Sequence, residues 1–423
     1  MKTLRVFPAW TGCSALLGGL FLLASGVGCE PGWSPPRALT EAERALVERT
    51  NGFGFSLLVE TARREPGAEA TVISPLSVSY ALGMTLNGAA GETHAEMRSL
   101  LGYDSATLAE INETYRGLMD VLAATDPAVA WSLANSLWID TDEGFRLLPE
   151  FAAACRRSFR AEAREIDLQD PSAVEAINRW VDRATGGRID QMFEAPFADE
   201  IRLILLNALY FKARWALEFD PLLTRDGMFH AADGKAMPVR LMTLEAELPY
   251  LSTPDLQAVH LAYDNGSFGL TLLLPGPDSS IEAVLEQLAA GAWSGWWSGL
   301  APSQGKLELP RFTLRWSGQF IFPLRALGMV KAFEPELADF SAMAERARER
   351  KLHVAFVDQR TWLSLDEQGT EAAAATAVGM EELDSYGSGS FQMRVDRPFV
   401  LVLHERRSGA VILAGAVYSL TSS

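Results

Sequence analysis

Apolar residues between positions 41 and 63 recur at helical spacing (Leu46, Val47, Phe53, Leu57, Leu58), which predicts a helix, with Asn51-Gly52 a point where it could break. Ser77 to Asn87 is apolar with few charges and predicts a buried helix. Ser74 and Pro75 just before it suit a helix start, since proline has no N–H to leave unpaired there. Ser172 to Thr185 predicts a further helix, closed by Gly186 and Gly187. The pattern then changes. Arg202 to Lys212 is an almost unbroken apolar run bounded by polar segments, as expected of a strand covered on both faces. Phe268 to Leu274, Leu307 to Thr313, Thr361 to Leu365, Phe399 to His404 and Ala410 to Ala416 complete the predicted strands. Helices come early and strands dominate late, which favours a mixed α+β architecture over a doubly wound sheet.

The first residues read differently. Lys2 and Arg5 precede an apolar stretch from Ser14 to Ser25, and the small residues Gly26 and Gly28 lead to Cys29. This is the pattern of an export signal, too short in its apolar part for a membrane span. A cysteine after small residues resembles a bacterial lipobox and makes Cys29 a lipidation candidate, although Gly26 stands where lipoboxes usually carry leucine. Residues 1–29 are therefore expected to be a signal, and 30–38, with Pro31, Pro35 and Pro36, a stiff spacer. With no later linker or repeat, 39–423 reads as one domain. Cys13, Cys29 and Cys155 are the three cysteines. If export removes the first and acylates the second, Cys155 is left alone, and on its apolar stretch it reads as a small buried hydrophobe. A net charge of −17 argues against nucleic acid or anionic lipid as partner. Localisation is expected to be extracellular or in the cell envelope, with membrane contact only through a lipid at Cys29.

Enzymatic chemistry finds no support. The chain has no H-E-x-x-H, C-x-x-C, P-loop or G-x-S-x-G motif, and its five histidines lack ligand spacing. No metal or cofactor is expected. Trp293, Trp296 and Trp297 could suggest a carbohydrate platform, but beside Leu285 and Leu288 they read as core.

Several blocks carry a resemblance instead. Glu367-Gln368-Gly369-Thr370 followed by Glu371 and the run Ala372 to Ala375 before Thr376 is similar to the reactive-loop hinge of the serpin family. Ser74-Pro75-Leu76-Ser77-Val78 resembles the family's segment opening its second helix. Asn178, Trp180, Val181, Thr185, Gly187 and Ile189 match its N-x-W-V-x-x-x-T-x-G-x-I pattern, and Asn207 to Lys212 with Trp215 resembles its N-A-x-Y-F-K-x-x-W strand. Leu309-Pro310-Arg311-Phe312, Leu327-Gly328-Met329 with Phe333, and Arg397-Pro398-Phe399 follow in the family's order.

The resemblance implies three β-sheets, about eight or nine helices, and an exposed reactive-centre loop at about 367–394. It also implies a monomer that traps a serine protease as a covalent acyl-enzyme, the cut loop inserting as a strand. Strand residues alternate faces, so Thr370, Ala372, Ala374 and Thr376 would share the face that must enter a packed core. None is charged or bulky, and Gly369 precedes them. Non-inhibitory members often carry charge, bulk or proline there. A binding, carrier or chaperone role remains the alternative.

By position, Glu367 and Arg311 match an acidic and a basic site facing each other where the loop meets the sheet, beside Trp215. Ser74, Ser77 and Asn207 match a polar cluster lower on the same seam. Gln359 stands where the family often has histidine. The family's usual spacing puts the scissile bond at Leu383-Asp384, implying a chymotrypsin-like or elastase-like target. Met380 and Tyr386 remain alternatives, because the loop is a few residues longer than usual, and Glu382 would suit a Glu-specific protease. No Lys or Arg lies between Glu371 and Gln392, which disfavours trypsin-like targets.

Overall fold

The computed structural model describes residues 36–142, 144–194, 196–370 and 390–420. The first helix, Glu41–Ala62, begins with a reciprocal cap between Thr40 and Glu43 and runs unbroken through Asn51-Gly52. Asn51 does not loosen it because its side chain works elsewhere. Its Nδ2 donates to the Gly409 carbonyl at 2.8 Å and its Oδ1 accepts the Val411 N–H at 3.0 Å. The second helix, Pro75–Leu86, starts as expected: the Ser74 hydroxyl accepts the Ser77 N–H at its N-terminus. It is buried at every position, so it lies inside the molecule and not on it. Ser172–Ala184 ends where Gly186 and Gly187 take positive φ, as their placement predicted.

Apart from a separate short pair, Arg146–Leu147 with Ala344–Glu345, the strands form three sheet regions within one continuous ladder, because two long strands change partner part-way. Ala301–Gln319 pairs through Arg311 with Ala236–Ser252, and from Phe312 onward with Phe356–Leu365. Ala236–Ser252 pairs in turn with Arg225–His230 and, at its far end, with Leu256–Ala262. The main sheet therefore runs Glu162–Ile166, Ala130–Asp140, Leu203–Arg214, Phe356–Leu365, then the second half of Ala301–Gln319. A second region holds Arg225–His230, the first half of Ala301–Gln319 and Phe391–Arg394. The third holds Leu256–Ala262, Phe268–Pro275, Phe399–Glu405, Val411–Val417 and Ala70–Ile73. Nine α-helices are present among the described residues. The expected α+β class with three sheets is the observed one.

Two apolar layers sandwich the main sheet. Odd positions of Leu203–Arg214 face the large core with the second helix. Even positions Ile204, Leu206 and Ala208 pack with Trp138, Ile177 and Trp180 under Ser172–Ala184. This two-sided burial is why the strand reads as a continuous apolar run. Cys155 is buried, and loss of solvent pushes its thiol up to about 12, so it is an inert core residue. Trp293 is buried with Trp296 and Trp297 packed against the core, which leaves no aromatic platform there.

Candidate functional site

Leu203–Arg214 and Phe356–Leu365 lie side by side in the main sheet and run in the same direction. They pair directly from Ile204 to Leu209 and from Phe356 to Thr361. Above that stretch they part, and Gly369–Thr370 sits between them. Thr370 pairs antiparallel with Leu365 on one side and Ala213 on the other, while Gly369 pairs with Arg214. The start of a middle strand is already in place. Gly369 is needed there because a Cβ would fall 2.2 Å from the Ala213 carbonyl oxygen.

The turn that turns the chain back is built by Asp366, whose Oδ1 accepts the N–H groups of Gln368 and Gly369 at 2.9 and 3.1 Å. Burial raises its pKa above the ordinary aspartate value. Trp215 braces this turn from below. Its indole N–H donates to the Asp366 carbonyl at 2.9 Å and its backbone N–H to that of Gln368 at 2.8 Å. Trp215 in turn stacks on Tyr263 with ring centroids 4.4 Å apart, and the Tyr263 hydroxyl meets that of Thr370 at 2.6 Å.

Glu367 and Arg311 do face each other here, at 3.8 Å. The shorter contact is one that sequence reading missed: the Thr224 hydroxyl donates to Glu367 at 2.8 Å. Half-exposed Arg311 adds a weak, screened attraction, whereas the hydroxyl fixes the carboxylate's position.

Lower on the seam the inner face turns polar. Gln359 and Asn207 are direct register partners, and Asn207 is in turn opposite Asn135. Gln359 accepts the Ser74 N–H at 3.1 Å and donates to the Thr361 hydroxyl at 2.8 Å; Ser74 donates to the Ile412 carbonyl at 2.7 Å. Asn207 donates to Asn135 at 2.7 Å. The structure thus brings Ser74, Ser77, Asn207 and Gln359 together, and Gln359 both donates and accepts. Not every group is satisfied. Ser77 Oγ, Asn207 Oδ1 and Asn135 Nδ2 are buried without a hydrogen-bond partner among the described residues.

On the opposite face of the same strand, Asp358 shares its side with Phe356, which packs under Ser172–Ala184. One of its carboxylate oxygens has no hydrogen-bond partner among the described residues, and burial raises its pKa to about 7 against a weaker pull from Arg360. The sequence offered little warning. Val357-Asp358-Gln359-Arg360 reads as a mostly polar run, and only the layer above it leaves Asp358 half-buried with one carboxylate oxygen enclosed. Asn135 had a fainter signal, as a polar residue interrupting the apolar run that ends at Ile139.

The remaining candidates, Ala372, Ala374, Thr376, Met380, Leu383, Asp384, Tyr386 and Cys29, lie outside the described residues.

A family profile described as serpin (serine protease inhibitor) matches residues 48–420. The chain belongs to the serpin family. Among relatives of this serpin, iripin-2 of Ixodes ricinus is 30% identical over 388 residues, covering 90% of this chain and 95% of the relative. A serpin-like protein of Thermococcus kodakarensis is 30% identical over 376 residues, 88% of this chain and 85% of its own. Of solved structures, the native thermophilic serpin tengpin superposes with a TM-score of 0.81 at 26% identity, over 92% of this chain and 97% of that one. Native protease nexin-1 with heparin gives 0.80 at 25%, covering 89% and 100%. Human thyroxine-binding globulin complexed with its hormone gives 0.81 at 23%, covering 90% and 100%, a likeness of fold alone. The family's description names protease inhibition, and the same fold also occurs in a protein crystallised with a bound hormone.

Proposed function

We propose that this serpin inhibits serine endopeptidases of chymotrypsin-like or elastase-like specificity, by trapping them as acyl-enzymes after cleavage near Leu383-Asp384. The observation that carries the reading is Thr370, hydrogen-bonded between two strands at the head of their seam. Continuing its register would set Ala372 opposite Leu363 and Phe211, Ala374 opposite Thr361 and Leu209, and Thr376 opposite Gln359 and Asn207. All are inner-face positions, so the advancing strand would bury small neutral side chains against a finished core. Thr376 would arrive beside Asn207, whose Oδ1 has no hydrogen-bond partner among the described residues.

Insertion exchanges one parallel pairing, Phe356–Thr361 with Ile204–Leu209, for two antiparallel ones. Each added ladder bond contributes about 0.5–1.5 kcal/mol net. A strand's worth is on the order of 10 kcal/mol, comparable to the stability of a whole domain. That magnitude suffices to drag and distort an enzyme still esterified to the loop. The chain itself supplies no catalytic group to this process: the protease makes the acyl bond, and the serpin supplies the strand.

Incubation with chymotrypsin or elastase is expected to give an SDS-resistant complex, and loop cleavage to raise the melting temperature. Complete turnover with no complex would support a carrier role like that of thyroxine-binding globulin. For location, the export pattern and Cys29 support a secreted or envelope-tethered protein, to be tested by palmitate labelling of wild type against Cys29→Ser.

A further inference from the structure

We propose that the exposed apolar surface of residues 217–228 is a second contact for the attacking protease, engaging an apolar patch beside that enzyme's cleft. This rests on the inhibitory reading above. Seven large hydrophobic side chains are exposed among the described residues, and four fall in this stretch: Leu217 at 45%, Leu222 at 91%, Leu223 at 53% and Met228 at 41%. Single exposed apolar residues are ordinary, whereas a concentration of them marks an interaction surface.

The backbone that carries Leu222 and Leu223 is pinned by hydrogen bonds. Pro221–Leu223 forms a single helical turn in which the Asp220 carboxylate accepts the Leu222 N–H at 2.8 Å and the Asp220 carbonyl that of Leu223 at 3.0 Å. A surface already ordered loses little entropy on docking.

Position identifies the occupant. The turn is stitched to the residue where the loop leaves the body: Phe219 N–H donates to the Glu367 carbonyl at 2.9 Å, and the Thr224 hydroxyl to its carboxylate at 2.8 Å. The chain that carries the proposed scissile bond leaves the body at Thr370 and returns at Phe391–Arg394, where Arg394 and Arg225 share Glu308, so an enzyme acting on it would approach this end of the molecule. Charge defines the chemistry. Glu218 pairs with Arg214, Asp226 with Arg240, and Arg225 with Glu308. These partly paired charges, with exposed Asp220 whose carboxylate caps the turn, set the apolar side chains among polar groups, the make-up of an apolar centre with a polar rim.

The test compares the full-length protein with its Leu222→Ser, Leu223→Ser double variant, whose turn is held by backbone groups and Asp220. Loop cleavage and association rates are measured with chymotrypsin and elastase, alongside hydrolysis of a free peptide of residues 367–394. The expected result is at least about a fivefold fall in the rate constant for the faster enzyme, the scale of an interface residue that matters. Peptide hydrolysis and inhibitory stoichiometry should not change. An unchanged rate overturns the proposal. So does a faster one, which would mean that the patch normally holds the loop, and so does loss of self-association in the variant, which would assign the patch to a second copy. Because cleavage is read directly, the comparison works even if the wild type is simply turned over, and that outcome would count against the inhibitory reading alone.

Discussion

The hydroxyls of Tyr263 and Thr370 lie 2.6 Å apart with both residues fully buried, so each is the other's substitute for water. Removing one leaves the other unpaired in the core. Tyr263→Phe keeps the stack on Trp215 but strands the Thr370 hydroxyl, and unfolding free energy is expected to fall by about 1–2 kcal/mol. Urea unfolding of the two proteins measures it; equal midpoints would show that the contact adds nothing.

Thr370→Arg places a cation at a fully buried position between two strands. The side chain would have to leave the seam and take the start of the middle strand with it. The variant is expected to be cleaved without trapping, seen as loss of the SDS-resistant band and of the gain in melting temperature after cleavage. Full inhibition by this variant would falsify the insertion argument.

Asp358 should make stability depend on pH in an unusual direction. Its folded pKa of about 7 lies above the ordinary 3.8, so between those values the folded chain binds more protons than the unfolded one, and raising the pH costs stability. Asp358→Asn removes that penalty. It is expected to stabilise the protein by about 1–3 kcal/mol near neutrality and above, after discounting for partial exposure. Near about pH 4 the two proteins should converge. Denaturant curves at both pH values decide the matter.

A second titrating pair acts with the opposite sign. His260 and His404 flank the Thr271 hydroxyl at 3.1 and 3.2 Å. Burial lowers His260 to about 4 and His404 well below its ordinary value, with the Arg406 charge adding to both shifts. Their neutral forms contribute fully above about pH 6.5, and that contribution is lost as pH falls toward 4. His260→Gln can still bond to Thr271 and should shrink the acid-induced loss by about 2–3 kcal/mol over that interval. An unaltered acid profile would exclude His260 as the group responsible.

Leu383→Arg tests the assignment of the cut bond, which rests on spacing. The change should confer inhibition of trypsin and weaken that of chymotrypsin by orders of magnitude, an Arg side chain suiting an acidic primary pocket. If mass spectrometry finds the cut elsewhere, Met380 and Tyr386 are next.

What the sequence made legible was governed by how locally each signal is encoded. The strand Leu203–Arg214 announced itself because both faces are apolar. Ser74 and Pro75 announced a helix because capping is a matter of adjacent residues. Ala301–Gln319 was expected only from Leu307 to Thr313, since one side is open along much of its length and Arg315, Ser317 and Gln319 break the apolar pattern. The helix Leu108–Ala123 carries Ile111, Tyr115, Leu118 and Leu122 at helical spacing, so its signal is local and legible too. At the seam, the hinge and its flanking residues were readable through resemblance. Thr224, Tyr263 and Asp358 were not, because their roles come from contacts between segments far apart in the chain.

The clasp between Asn51 and Val411 joins residues 360 positions apart, and Ala70–Ile73 takes its strand pairing from Val411–Val417. During synthesis, the first two helices therefore emerge long before the strands that will cover them exist. Nascent chains must hold considerable apolar surface open until the late strands are made, so exposure to chaperones and slow final assembly are built into the order of the elements.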